Sequence, residues 1–198
     1  MSDIYQKSLE LHKKFQGKLR VESNAKIESR EDLSWAYSPG VAEPCREIAA
    51  DASKMYDYTL KSRTVAVISD GSAILGLGNL GHKASLPVME GKCVLFKEFA
   101  GVDAFPIIVK TQDTEEFIQT VKNIADTFGG INLEDISSPR CFEIEERLKA
   151  ELDIPVMHDD QHGTAIVTLA GIINACKVTN RQISSLKVVI NGVGAAGT

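Results

Sequence analysis

Several features that would assign a chain quickly are missing here. No apolar run reaches the roughly 18 residues a membrane-spanning helix requires, and the opening stretch MSDIYQKSLELHKKF has no apolar core of the signal-peptide kind. A helical membrane span is therefore not expected, and the cytoplasm is the expected location. Basic residues are not in excess: 22 Lys and Arg against 27 Asp and Glu leave a net charge of −5, which argues against a phosphate-binding surface for nucleic acid. The four cysteines, Cys45, Cys93, Cys141 and Cys176, are far apart and form no CxxC pair, so neither a structural zinc site nor a disulfide framework is suggested. They are expected to be reduced and mostly buried. No internal repeat or low-complexity segment is present.

What remains, at 198 residues with 43% hydrophobic and 25% charged, is enough chain for one globular domain or one domain plus part of another. A helix capped by Ser2 or Asp3 is expected through Ile4, Leu9, Leu11 and Phe15, stopping near Gly17, with a polar stretch from Glu22 to Glu31 after it. The loop around YSPGVAEP argues against regular structure, and a second amphipathic segment is expected from Cys45 to about Tyr58. These pieces form an N-terminal helical cap.

From Thr64 onward short apolar runs alternate with longer helical stretches, the pattern of parallel strands joined by helical crossovers. VAVIS, AFPIIV, GGINL, IPVM and LKVVI predict strands. Helices are expected at about Lys83 to Phe99, Thr114 to Phe128, Pro139 to Leu152 and Gly163 to Lys177. The last is apolar on nearly every face, which predicts burial between two layers or two domains. The fold class is α/β, with a helical cap and parallel-sheet domain over 1–177 and the first strand and turn of a truncated Rossmann domain over 178–198.

Three groups of residues carry potential chemistry. LKVVINGVGAAGT runs an apolar segment into Gly192, Gly194 and Gly197 at the G-x-G-x-x-G spacing that lets backbone amides approach a pyrophosphate; an ordinary glycine-rich turn is the alternative. Glu134 and Asp135 after GGINL, and Asp159 and Asp160 after IPVM, sit where open α/β sheets place ligands, beyond the carboxyl ends of strands. Gathered carboxylates repel one another, and a hard divalent cation such as Mg²⁺ or Mn²⁺ would offset that; both pairs also suit helix N-caps. Lys92 and Lys97 lie in a largely apolar stretch where burial can lower a lysine pKa enough to make a base, although most lysines are solvated surface groups. His158 and His162 flank the aspartate pair, with His158 expected to orient the loop or pack rather than bind metal. Tyr37 stands at the edge of the proline-glycine loop.

The strings AYSPGVAEPC, SDGSAILGLGNLG, MEGKCVLFKEFAGVDAFP, NLEDIS, HDDQHGTAIVTLAG and VVINGVGAAG follow one another from Ala36 to Gly197. In this order they resemble the successive motifs of the shorter, bacterial-type malic enzymes. The resemblance implies metal-dependent oxidative decarboxylation of malate to pyruvate and CO₂ with reduction of NAD or NADP, in a homodimer. It matches Tyr37 to the general acid, Lys92 to the general base, Glu134, Asp135 and Asp160 to the ligands of Mg²⁺ or Mn²⁺, and Asp159 to the carboxylate beside them. Gly192, Gly194 and Gly197 match the NAD(P) loop. One departure stands out: larger eukaryotic members carry a carboxylate-gripping arginine where this sequence has Ala73. Two other readings remain, a malolactic enzyme that releases lactate and a non-catalytic dimerisation or regulatory module. The 198-residue chain alone is expected neither to bind the nicotinamide cofactor tightly nor to oxidise malate. An N-terminal helix of about three turns is marginal alone, so it is expected to seek a partner surface, which could carry Tyr37 toward the partner subunit's Lys92.

Overall fold

The computed structural model describes residues 2–198. Helix α1 (Ser2–Phe15) already contains Ser2 and Asp3, the two residues expected to cap it. Its apolar side chains Ile4, Leu9, Leu11 and Phe15 remain exposed. Lys18 ties the following turn to the body: its amide donates to Glu90 Oε2 at 2.9 Å and its ammonium to the Pro87 carbonyl at 2.6 Å. The polar stretch is not wholly irregular. It closes in a capping box, in which Ser29 Oγ accepts from the Asp32 amide at 3.1 Å and Asp32 Oδ2 accepts from the Ser29 amide at 2.9 Å, and this opens α2 (Arg30–Ala36).

The amphipathic segment expected from Cys45 to Tyr58 begins earlier and breaks in the middle. α3 (Ala42–Ala50) stops at Asp51, whose extended backbone and Ser53-accepting side chain start a 3₁₀ turn over 52–54 before α4 (Met55–Tyr58). An aspartate that can take a nearby amide competes with helix continuation.

The body is a four-stranded parallel sheet among the described residues: β1 (Thr64–Ser69), β2 (Asp103–Ile108), β3 (Gly130–Leu133) and β4 (Val156–His158), in the spatial order β2-β1-β3-β4. Each crossover is a helix: α5 (His82–Ala100), α6 (Thr114–Ile124) and α7 (Arg140–Glu151). The pleat sorts β1 by period two. Ala66 and Ile68 join Phe117 and Val121 of α6, Ile144 and Leu148 of α7, and Ile131 and Leu133 of β3 in the main core. Val67 points the other way, into Met89 and Cys93 of α5. Covering both faces with helices is what parallel strands need, since no face of such a sheet is left to water.

Four of the five expected strands form. The fifth, LKVVI, carries no ladder and leaves Val188, Val189 and Ile190 exposed, because no described strand lies beside it to supply hydrogen-bond partners. The apolar helix α8 (Asp159–Thr179) is longer than expected and mostly exposed: of its residues only Cys176 is buried, while Ile166, Val167 and Leu169 face outward. It ends at Asn180, in the left-handed conformation that closes helices, just after the expected domain boundary. Cys93, Cys141 and Cys176 are buried and Cys45 is exposed.

Candidate active site

The strand order reverses between β1 and β3: the chain leaves β1 toward β2 on one side and returns past it to β3 on the other. With one crossover handedness, helices on opposite faces then diverge and open a crevice at the carboxyl ends of those strands. The loop leaving β1 folds over this crevice. Gly71 makes that possible, since it has φ +70 and a Cβ on it would lie 2.3 Å from the Gly81 carbonyl oxygen. The loop is then pinned to the exit of β3, the Ala73 amide donating to the Asp135 carbonyl at 3.0 Å and the Leu75 amide to Asp135 Oδ1 at 3.4 Å.

Two elements deliver carboxylates to this place. Glu134 and Asp135 leave β3; the Glu134 amide extends the ladder to the Ile68 carbonyl, and Asp135 turns the chain in the left-handed region at φ +54, an unusual conformation for a residue with a side chain. In that turn the Asp135 amide donates to Asp160 Oδ2 at 2.9 Å. Asp159 and Asp160 are the first two residues of α8, which follows β4 without a loop. One carboxylate oxygen each from Glu134, Asp135 and Asp160 lies within 4.8 Å of the other two. From the opposite face α5 extends Lys92, whose ammonium donates to Asp159 Oδ2 at 2.6 Å and sits 3.3 Å from Glu134 Oε1.

The electrostatics follow from this crowding. Burial pushes the Glu134 carboxyl up to about 7, with Asp160 and Asp159 adding to the rise and Lys92 and Asn132 opposing it. Burial also raises Asp135 to about 6, against the Leu75 amide. Asp135 Oδ2 has no hydrogen-bond partner among the described residues although it is buried. Oxygen ligands at short mutual distance, one of them orphaned, and carboxyls that are costly to ionise unaided are the features a hard divalent cation would satisfy, so these residues fit Mg²⁺ or Mn²⁺. Lys92 departs from the sequence expectation. Burial does pull its pKa down, but the hydrogen bond to Asp159 and the charge of Glu134 outweigh it and the net shift is upward.

The other candidates separate cleanly. Lys97 pairs with Asp103 Oδ1 at 2.6 Å, at the first residue of β2 and so at the opposite end of the sheet, which removes it as an alternative base. Tyr37 is 69% exposed at the C-cap of α2, and its hydroxyl bonds to none of the described residues. Gly192 has φ +117, a Cβ on Gly197 would lie 2.2 Å from the Gly192 carbonyl oxygen, and a Cβ on Gly194 would meet nothing within 4 Å. His158 is fully buried, with Nε2 3.2 Å from Asp160 Oδ2 but without hydrogen-bonding alignment.

Sequence reasoning missed two members of the neighbourhood. Asn132 donates to Glu134 Oε2 at 2.9 Å; the signal was a polar residue inside an otherwise apolar strand, two positions before Glu134 and so on the same face. Glu145 of α7 accepts from the His158 amide at 3.0 Å and lies 2.9 Å from His162 Nε2. It gave no signal, since it stands with Glu143, Glu146 and Arg147 in what reads as an ordinary charged helix face.

With this geometry in place, comparison with known proteins decides the family. The family model described as "Malic enzyme, N-terminal domain" matches residues 16–115 and 110–149. The chain belongs to the malic enzyme family. A second model, "Malic enzyme, NAD binding domain", matches residues 161–198. The bifunctional malic/malolactic enzyme of Bacillus subtilis (strain 168) is 61% identical over 194 residues, covering 98% of this chain and 47% of that protein. The NAD-dependent malic enzyme of Geobacillus stearothermophilus is 62% identical over 181 residues, covering 91% of this chain and 38% of that protein. The crystal structure of malic enzyme from Pyrococcus horikoshii superposes with a TM-score of 0.91 at 58% identity, covering 98% of this chain and 46% of that one. The chain thus spans about half or less of the length of these malic enzymes.

Proposed function

We propose that the intact protein oxidatively decarboxylates malate to pyruvate and CO₂, and that the cluster at the carboxyl ends of β3 and β4 is where malate reacts. The observation that carries this reading is the convergence of Glu134, Asp135 and Asp160 on one point with Lys92 beside them, inside a family defined by that chemistry. The three carboxylates would hold Mg²⁺ or Mn²⁺, which would supply a Lewis acid for the oxygen on malate C2, and NAD or NADP would supply the hydride acceptor. Lys92 takes the proton of the C2 hydroxyl. Asp159 holds the Lys92 side chain in place and so sets the direction of that transfer, for which Lys92 must be the neutral amine. Tyr37 returns a proton to C3 after CO₂ has left; because its hydroxyl is free of the Lys92 cluster within one chain, we place it in the site of the other subunit of a two-fold homodimer. Gly192, Gly194 and Gly197 face the cofactor pyrophosphate in the part that begins near residue 178. Ala73 offers no charge for a malate carboxylate, so that contact falls to residues outside the loop leaving β1.

The test is an assay of the intact protein with malate, Mn²⁺ and either NAD or NADP, following reduced cofactor and pyruvate. Mn²⁺-dependent formation of both is expected, with Lys92→Ala lowering kcat by about 10²- to 10⁴-fold while the protein stays folded. Turnover indifferent to metal removal, or near-normal kcat in the variant, refutes the assignment. A second reading is favoured by the relative named as a bifunctional malic/malolactic enzyme. Under it lactate accumulates without net reduced cofactor, and the same assay with lactate also followed distinguishes the two.

A further inference from the structure

α8 starts without a cap of its own. Its N-cap residue is His158, which makes no capping hydrogen bond through its side chain. The two acidic residues of its first turn are engaged elsewhere, Asp159 with Lys92 and Asp160 with the Asp135 amide. In a capping box the third helical residue reaches back to the N-cap amide. That position here is Gln161, and the N-cap amide is taken instead by a residue of a different helix. Glu145 Oε1 accepts it at 3.0 Å, and the other oxygen of the same carboxylate lies 2.9 Å from the ring of His162, one position further into α8.

The choice of residue on α7 is itself informative. Glu145 is 5% exposed, and Cys141, Ile144 and Leu148 on the same helix are fully buried in the apolar core. An aliphatic side chain would suit the spot, and a buried carboxylate is unfavourable unless every oxygen is paired. Here each is paired, Oε1 also meeting the Lys149 ammonium at 2.8 Å. The two contacts toward α8 straddle Asp159 and Asp160.

We infer that Glu145 is a positioning residue: by gripping the His158 amide and the His162 ring it holds the turn that carries Asp159 and Asp160, and so sets where those carboxylates meet Lys92 and Asp135. Its consequence for metal affinity rests on the proposed cation site. The grip itself does not.

The experiment compares Glu145→Ala, Glu145→Gln and Leu148→Ala in the intact protein. Amide hydrogen exchange over residues 156–164 is measured without metal, and Mn²⁺ binding is measured by calorimetry. Glu145→Ala is expected to speed exchange at 158–162 while the rest of the sheet stays protected, and to weaken Mn²⁺ binding by about 10- to 100-fold, the usual loss when the partner of a metal ligand is removed. Glu145→Gln recovers most of both, since its amide oxygen still accepts from His158 and its amide nitrogen still reaches the His162 ring. Leu148→Ala lowers the melting temperature but leaves Mn²⁺ affinity unchanged. Unchanged exchange in Glu145→Ala, or a loss of Mn²⁺ affinity in Leu148→Ala as large as in Glu145→Ala, overturns the inference. Should Glu145→Ala fail to fold, His162→Ala, which removes one of the two contacts, takes its place with the same expected direction. An unsubstituted protein that binds no Mn²⁺ overturns the cation site, and the exchange measurement then decides the grip alone.

Discussion

Glu134 and Asp135 give the site a pH dependence whose sign is opposite to that of an ordinary salt-bridged carboxylate. Their folded values of about 7 and about 6 lie above the roughly 4 of unfolded carboxyls, so between those limits the folded chain holds protons that the unfolded chain has released. Metal-free protein should therefore lose stability as pH rises from about 4 to 7. Mn²⁺ should reverse this, because it binds only the deprotonated ligands and stabilises by mass action. Scanning calorimetry in chelator and in Mn²⁺ would show the Mn²⁺-induced rise in Tm to be larger at about pH 8 than at about pH 5.5. A Glu134→Gln, Asp135→Asn double variant should flatten the metal-free slope; a slope that persists assigns it to other groups. A bound cation would bear on Lys92 as well, whose proton is now held by Asp159 and Glu134. Offsetting those carboxylates would free it for its proposed role as a base.

At the scale of elements, the first turn of α8 has to admit the Asp159 side chain, and Gly163 makes the space. A Cβ there would sit 2.4 Å from Asp159 Oδ1 and 3.0 Å from its Cγ. The helix itself has no need of glycine: alanine is favoured over it by about 1 kcal/mol in a helix interior. Gly163→Ala should accordingly leave Tm unchanged or higher while kcat falls by about 100-fold, the size expected when a catalytic contact shifts by an ångström. Normal turnover would show that Asp159 can move off Lys92 without consequence. The strands and crossover helices of the body were legible because burial on both faces writes continuous apolar runs, as in β1, and helical periodicity between them. α2 was passed over because the polar residues around its capping box hid a local signal, S-x-x-D, that the sequence does contain. The break at Asp51 depended on a single side chain choosing an amide over the helix.

The whole molecule presents apolar surface that its own chain does not cover: Ile4, Leu9 and Phe15 on α1, Ile166, Val167 and Leu169 on α8, and the segment 188–190. In the proposed homodimer a second copy of the chain would cover the α1 surface, and Tyr37 follows α1 across the polar stretch and α2. If Tyr37 serves the neighbouring subunit, mixed dimers of Tyr37→Phe chains with Lys92→Ala chains contain one intact site, although each parent homodimer is impaired at both. Mixing should restore part of the activity. No recovery in mixed dimers, established by differential tagging, would place Tyr37 in its own chain's site. Among the described residues no helix is long and apolar enough to cross a membrane, so the exposed faces of α1 and α8 are not spans.

Composition, period and motif order determined the α/β class, the positions of β1 to β4, and the residues worth testing, because each of those is written locally: an apolar run, a glycine spacing, a carboxylate pair at the end of a strand. The tertiary structure decided what stands next to what. It brought Lys92 across the sheet to Asp159 and Glu134 and sent Lys97 to the far end, a choice two lysines five positions apart on one helix do not reveal. It reversed the expected direction of the Lys92 pKa, since the charges that raise it come from β3 and α8 rather than from its own neighbourhood. It left LKVVI without a ladder and α8 uncovered, because a strand and an apolar helix become buried only against partners that adjoin them in space.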